Sequence, residues 1–272
     1  MRKWQEANSR GRWFQDGSFI WTRTNVAHYP YIYREVRDMA LVLFEKKDGT
    51  LKVSLNRVSA LNAINSAVLQ ELEQGLKEYE KDETVRSIIV FGQGGCFASG
   101  ADIKELASLD EEGIRRFHQL RERTFALLEN FSCPTIAVIE KYALGTGLEL
   151  ALCCDFRITS TDAKLGVTSA KLGLVESYEY FARLLRAVGP SWAKKMVFTG
   201  IQVDAVTAWK IGLVEETSPP DKIFECVDSR LSRMFRSTRS GSKSRRGSGG
   251  LTSRRPLTAT WTVATCTTAL PG

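Results

Sequence analysis

Ala143-Leu144-Gly145-Thr146-Gly147-Leu148-Glu149-Leu150-Ala151-Leu152-Cys153-Cys154 is the stretch on which the reading of this chain turns. The apolar run at residues 135–139 reads as a buried strand, which the chain leaves through Glu140. Gly145 and Gly147 then give the turn its backbone freedom, and the apolar run behind them reads as a helix. Glu149 stands inside that run. A carboxylate so placed loses hydration, its pKa rises, and it becomes suited to moving a proton near neutrality. The spacing Thr146-x-x-Glu149 also fits a capping box, in which the glutamate only satisfies the helix start. Both readings stay open on this segment alone. A dinucleotide-binding turn fits less well, because the third glycine of that fingerprint is missing.

Upstream, residues 86–91 form a β-rich run that leads into Gly92-Gln93-Gly94-Gly95-Cys96-Phe97-Ala98-Ser99-Gly100-Ala101-Asp102. No Gly-Lys-Ser/Thr follows, so this is not a nucleotide phosphate loop. Asp102-Ile103-Lys104-Glu105-Leu106 reads as a helix start, whose unpaired N–H groups suit a developing negative charge. The plainer alternative is a glycine-rich connection with Asp102 as the helix cap.

Working outward, residues 40–45 and 51–55 read as strands around Lys47-Asp48-Gly49. Val68, Leu69, Leu72, Leu76 and Tyr79 recur at helical spacing, with Ser66 as the expected N-cap. A helix is predicted over residues 111–131, stopped before Pro134, with strands near 156–159 and 164–167. Three helices are predicted between residues 178 and 210. Strands alternating with helices make the class α/β with several crossovers. Residues 1–37 show no clean periodicity and are taken as an irregular N-terminal extension, 38–235 as one globular domain. Residues 236–272 are taken as a basic low-complexity tail, expected to be disordered. The abrupt loss of periodicity there has the character of a shifted reading frame or a truncated product.

The net charge of +7 belongs to that tail. From Arg230 onward there are nine Lys/Arg and no acid, which leaves 29 basic against 31 acidic residues before it. A near-neutral domain with a basic run gives no case for specific nucleic-acid binding. No run approaches the ~20 apolar residues that span a bilayer. The charged N-terminal residues lack the apolar core of a secretory signal. A cytoplasmic location is expected, with the mitochondrial matrix as the alternative. The six cysteines form no C-x-x-C pair and read as reduced thiols. Two histidines argue against a histidine-rich metal site and a Ser-His-Asp triad, and no metal is expected.

Taken together, the two segments resemble the enoyl-CoA hydratase/isomerase (crotonase) family. The likeness runs from residue 40 to 219. It includes Asn56-Arg57 with Ala60-Leu61-Asn62-Ala63, then Phe97-x-x-Gly100-x-Asp102-Ile103. It continues through Ala143-Leu144-Gly145-x-Gly147-x-Glu149-Leu150-Ala151 with Cys154-Asp155, and closes with Gly189-Pro190, Phe198-Thr199-Gly200 and Gly212-Leu213-Val214. The resemblance implies a ClpP/crotonase-like spiral of β-β-α units that binds an acyl-CoA thioester as a homotrimer or hexamer. Coenzyme A would enter as part of the substrate, with no separate cofactor and no membrane partner. The thioester oxygen would sit between the N–H groups of Ala101 and Thr146, which stabilise an enolate by on the order of 3 kcal/mol per donor. The resemblance also implies substrate contacts at Ser59, Ala60 and Leu61 on the adenine side, and at Ala101, Asp102, Ile103, Lys104 and Thr146 on the thioester side.

The sequence departs from the family pattern in several places. Family hydratases use two glutamates; the first falls on Glu149 and the second position holds Ser169, a poor base. Glu176 is a candidate substitute, although it reads equally as an acid at a helix start. The familiar glycine-rich loop is replaced by Ser177-Tyr178-Glu179-Tyr180. Thr146 replaces a glycine, and the usual C-terminal trimerisation helices are missing or replaced. The expected function is hydration or isomerisation of an enoyl-CoA through a thioester enolate. Decarboxylation of a malonyl-CoA-type substrate is the alternative reaction, and a catalytically weak acyl-CoA-binding or interaction protein the alternative class.

Overall fold

Asp48-Gly49 turns the chain between strands β1 (Val42–Lys47) and β2 (Thr50–Leu55), and both turn residues hold positive φ, 50° and 79°. Asp-Gly in a two-residue hairpin loop tolerates this geometry well. Helix α1 (Ser66–Tyr79) brings the chain back so that β3 (Ser87–Gly92) pairs parallel with β2. Val68, Leu69, Leu72, Leu76 and Tyr79 are buried along α1, as their spacing predicts. The cap differs from the expectation. Asn65, not Ser66, is the N-cap, and its side chain accepts from the Val68 N–H at 2.9 Å. Ser66 is already inside the helix and donates its N–H to Glu105 instead.

The structure is a computed structural model that describes residues 40–241, together with the antiparallel strand pair Arg12–Trp13 and Phe19–Ile20. The rest of the predicted N-terminal extension, and residues 242–272 of the predicted tail, lie outside the described residues.

Past β3 come the short helix α2 (Ile103–Ser108) and the long helix α3 (Glu111–Glu129). Strand β4 (Thr135–Ile139) then returns beside β3, β5 (Tyr142–Leu144) leaves for a second sheet, and α4 (Thr146–Leu152) follows. The unit repeats with β6 (Phe156–Ser160), β7 (Lys164–Gly166) and α5 (Tyr178–Thr199). The chain continues through β8 (Gln202–Asp204), α6 (Ala205–Lys210), β9 (Glu216–Ser218) and α7 (Ile223–Gly241).

One sheet has six strands in the order β9-β6-β4-β3-β2-β1, and the other has three in the order β8-β7-β5. The β4-β5-α4 and β6-β7-α5 units each place one strand in each sheet, so the chain winds between the two sheets as the sequence resemblance implies, whereas β1 and β2 of the first unit stay together in the larger sheet. Strand β4 is buried on both faces, as parallel strands under helices are. Ala137 and Ile139 face the main core, with Phe97, Leu148 and Tyr180. Ile136 and Val138 face the other way, against Ile223, Val227 and Leu231 of α7. Burying an aliphatic side chain of this size contributes about 1.5–3 kcal/mol, so these three residues fasten α7 to the sheet.

Helix α5 is broken at Gly189 (φ 70°) ahead of Pro190. Its two halves and α6 make up the three helices predicted between residues 178 and 210. Helix α7 continues to Gly241, past the boundary expected at residue 235. Among the described residues, no helix is long and apolar enough to cross a membrane.

Candidate active site

Two stretches of backbone meet here with no room between them. The Ala98 N–H donates to the Tyr142 carbonyl (2.9 Å), and the Leu144 N–H donates to the Ala98 carbonyl (3.2 Å). The glycine-rich loop thereby runs beside β5. A Cβ on Gly147 would lie 2.6 Å from the Ala98 carbonyl oxygen, and one on Gly100 would lie 3.1 Å from that of Leu144. Glycine permits this approach because nothing projects from its Cα. On the loop's other side, Ile64 donates to Gly100 (2.8 Å), Asp102 to Ile64 (2.9 Å) and Ser99 to Leu61 (3.0 Å). Of the expected adenine-side residues, Ala60 and Leu61 are thus brought against the expected thioester loop, both accepting from Ser99. Buried Asn62 locks the junction. It accepts from the Arg57 N–H and donates to the carbonyls of Gln93 and Cys96.

Ala101 and Thr146 flank this seam, and neither N–H has an acceptor among the described residues. Thr146 opens α4, where helix N–H groups have no internal partner. Gly145 before it has φ 48° and ψ −121°, and its N–H donates to the Gly166 carbonyl at 2.9 Å. The unusual backbone falls on the glycine, so the Cβ of Thr146 meets no such constraint. Asp102 caps α2, its Oδ1 accepting from the N–H groups of Lys104 and Glu105. The Arg57 guanidinium, 2.7 Å from its carboxylate, holds the Asp102 pKa down. Its charge is therefore taken up within the fold. Ile103 and Lys104 are exposed on the first turn of α2.

Glu149 is fully buried. The capping-box alternative is overturned, because Gly145 is the N-cap and Thr146 already lies within the helix. The Glu149 carboxylate turns instead to two arginines. Oε1 accepts from Arg183 Nη1 at 3.0 Å. Oε2 lies 3.2 Å from Arg121 Nε, a charge contact without hydrogen-bond alignment. The cluster extends from Arg121 to Glu122 (2.8 Å) and from Arg183 to Glu129 (2.9 Å). Burial pushes the Glu149 carboxyl up to about 8; Arg121 and Arg183 act against the rise, while Glu122 and Glu176 add to it. The sequence reading expected the rise and its cause.

Ser169 opens a 3-10 turn, Ser169–Leu172, and its hydroxyl donates to the carboxylate of Glu176. Burial pushes the Glu176 carboxyl up, with the Ser169 hydrogen bond opposing the shift. Glu176 is not the helix-start acid of the competing reading. It precedes the N-cap Ser177, and Glu179 is the acid in the first turn of α5. A cleft of about 570 Å³ opens here, lined by His118, Arg121, Glu122, Val175, Glu176 and Ser177 among others. The structure thus brings Ala101 and Thr146 to one seam and Glu176 to Ser169, with Glu149 electrostatically linked to Glu176.

Arg121, Arg183 and Tyr180 were not among the residues predicted for the site. Arg121 is buried on the face of α3 that also carries Phe117, Leu120, Thr124 and Phe125. Arg183 is buried beside Tyr180 and Leu184 on α5. The available signal was an arginine on an apolar helical stripe, which needs a buried carboxylate to be tolerated. Among the described residues, no group of three or more His, Cys, Asp or Glu could hold a metal ion.

The profile of the enoyl-CoA hydratase/isomerase family matches residues 45–246. The chain belongs to that family. It is 35% identical over 195 residues to crotonyl-CoA hydratase of Syntrophomonas wolfei, across 71% of this chain and 75% of that protein. It is 34% identical over 198 residues to 2,3-dehydroadipyl-CoA hydratase of Escherichia coli, across 73% and 77%. Among solved structures, an enoyl-CoA hydratase from Bacillus anthracis matches with a TM-score of 0.69 and 33% identity, across 71% of this chain and 76% of that one. Membership of the enoyl-CoA hydratase/isomerase family makes this chain an acyl-CoA enzyme.

Proposed function

We propose that the chain adds water across the double bond of an α,β-unsaturated acyl-CoA, or shifts that double bond, through a thioester enolate. The Ala101 and Thr146 N–H groups hold the thioester oxygen. Glu149 and Glu176 divide the proton transfers. The observation that carries this reading is the hydrogen bond from Ser169 to Glu176. A carboxylate reaches the second-glutamate position from seven residues downstream, although the sequence has serine there. In hydration, the ionised carboxylate takes a proton from water as the water oxygen bonds to the β-carbon. The π electrons move to the thioester oxygen as enolate. The protonated carboxyl then gives its proton to the α-carbon, and the net change is one water added. Two nearby carboxyls with raised pKa values favour one protonated and one ionised partner near neutrality. A cytoplasmic homotrimer or hexamer, with coenzyme A arriving only as part of the substrate, completes the reading.

A second reading keeps the acyl-CoA site without turnover. It is favoured by the commitment of both Glu149 oxygens to arginines. Loss of the conjugated absorbance of crotonyl-CoA separates the two readings. Hydration is expected, and Glu149→Gln should lower kcat by about 10²–10⁴-fold with binding of a saturated acyl-CoA retained. Binding without turnover in the unsubstituted protein would support the second reading. Faster release of carbon dioxide from malonyl-CoA than hydration of crotonyl-CoA would replace both with a decarboxylase.

A further inference from the structure

Helix α5 touches the site from behind at regular intervals. Ser177 Oγ donates to Glu122 (2.8 Å), Tyr180 Oη to the Gly145 carbonyl (2.8 Å), and Arg183 Nη1 to Glu149 (3.0 Å). The N-cap Ser177 and two residues on one face of α5, Tyr180 and Arg183, thus reach all three groups. The middle contact is the least expected. Tyr180 is fully buried, and its hydroxyl ends on a main-chain oxygen rather than on a charged group.

That oxygen has an unusual place in the site. It accepts the first hydrogen bond of α4, from the N–H of Glu149 itself at 3.1 Å. It also belongs to the peptide plane whose opposite end is the Thr146 N–H. A trans peptide is planar, and its carbonyl and N–H point in opposite directions. Holding the Gly145 oxygen therefore fixes the direction of the Thr146 N–H. Glycine at 145 gives a second hold more to do, because glycine leaves its peptide planes freer to rotate than other residues do. The Gly145 N–H is tied to Gly166, so the Tyr180 hydroxyl secures the far side of the turn. A donor at the carbonyl also polarises the amide and makes its N–H a stronger donor.

We propose that Tyr180 is a positioning residue for the oxyanion hole, aiming and strengthening the Thr146 N–H through its hydrogen bond to the Gly145 carbonyl. The proposal rests on the reading of Thr146 as an oxyanion donor. Tyr180 touches no substrate and acts only through this peptide. Its contribution therefore falls on the step in which charge reaches the thioester oxygen, and binding changes little.

The test uses the full chain and a conjugated aryl-acryloyl-CoA, whose absorption moves to longer wavelength when donors polarise its thioester carbonyl. The unsubstituted protein is expected to red-shift the bound probe. Tyr180→Phe keeps the ring and removes the hydroxyl. It should lose a large part of the shift and lower kcat on crotonyl-CoA on the order of tenfold, with KM changed less than about threefold. Replacing tyrosine by a ring-fluorinated tyrosine makes the hydroxyl a stronger donor and should enlarge the shift. This arm also decides the matter if circular dichroism shows that Tyr180→Phe does not fold. A probe bound by the unsubstituted protein with no shift would defeat the oxyanion reading itself. A normal shift unmoved by either replacement would leave that reading standing and overturn the role of Tyr180, whatever happens to kcat.

Discussion

The two walls of the site are made of different material. One wall is main chain, where the loop at residues 97–102 and the turn into α4 present N–H groups across a seam closed by Gly100 and Gly147. The other wall is side chain, where Ser169, Glu176, Ser177, Tyr180 and Arg183 reach in from the turn after β7 and from α5. The first wall carries the motif residues on which the sequence resemblance rests, with Thr146 as its one departure. The second departs from it at Ser169 and throughout Ser177-Tyr178-Glu179-Tyr180. A main-chain donor needs only the right backbone path, so it persists wherever that path persists. A side-chain acid can be supplied from any nearby position, and on the proposed reading Glu176 supplies what Ser169 cannot.

Between the two walls, removing one donor from the main-chain wall should produce the larger effect. Proline is tolerated at the first position of a helix, so Thr146→Pro deletes the N–H while sparing α4. Its kcat on crotonyl-CoA should fall by about 10²–10³-fold. An unchanged kcat would mean that the thioester oxygen sits elsewhere.

The side-chain wall should respond in two graded steps. Glu176→Gln should cost about 10²-fold in hydration if it replaces the second glutamate. Ser169→Ala leaves that carboxylate in place and removes one hydrogen bond, so about tenfold or less is expected. Equal losses from the two variants would show that Ser169 does more than hold Glu176. No loss from Glu176→Gln would return it to a structural role.

The last effect touches folding rather than turnover. The carboxyl of Glu149 rises from the usual 4.5 to about 8 on folding. The folded state therefore holds a proton that the unfolded state releases between those values. Stability from this group is full below pH 4.5 and is lost as pH rises through about 8. The loss amounts to a few kcal/mol, on the order of 1.4 per pH unit. Melting temperature should fall across this window in the unsubstituted protein, and less steeply in Glu149→Gln. Parallel pH profiles would mean that the arginines keep Glu149 ionised.

The legibility of the sequence follows the same division. The hairpin at Asp48-Gly49, the apolar period of α1 and the buried run of β4 were legible because local physics decides them. The raised pKa of Glu149 was legible because an acid within an apolar run has few other outcomes. The destination of its carboxylate was not, since Arg121 and Arg183 come from helices distant in the sequence. The N-cap was misplaced by one residue because Asn65 and Ser66 are both good caps, and only the geometry of the Val68 N–H separates them. Glu176 was visible as an acid near the right place. Its attachment to Ser169 requires the turn of β7 into α5 to be seen folded.

The seam at Gly147 also bears on how such a protein can change over generations. The atom opposite Gly147 is the carbonyl oxygen of Ala98, a part of the main chain that no substitution can shrink. A side chain gained at 147 therefore cannot be accommodated by trimming the residue opposite, and the main-chain path itself would have to move. The opposite wall has no such lock. A lineage built on this fold can exchange side chains around residues 169–183 while inheriting, unchanged, the main-chain path between Ala98 and Gly147.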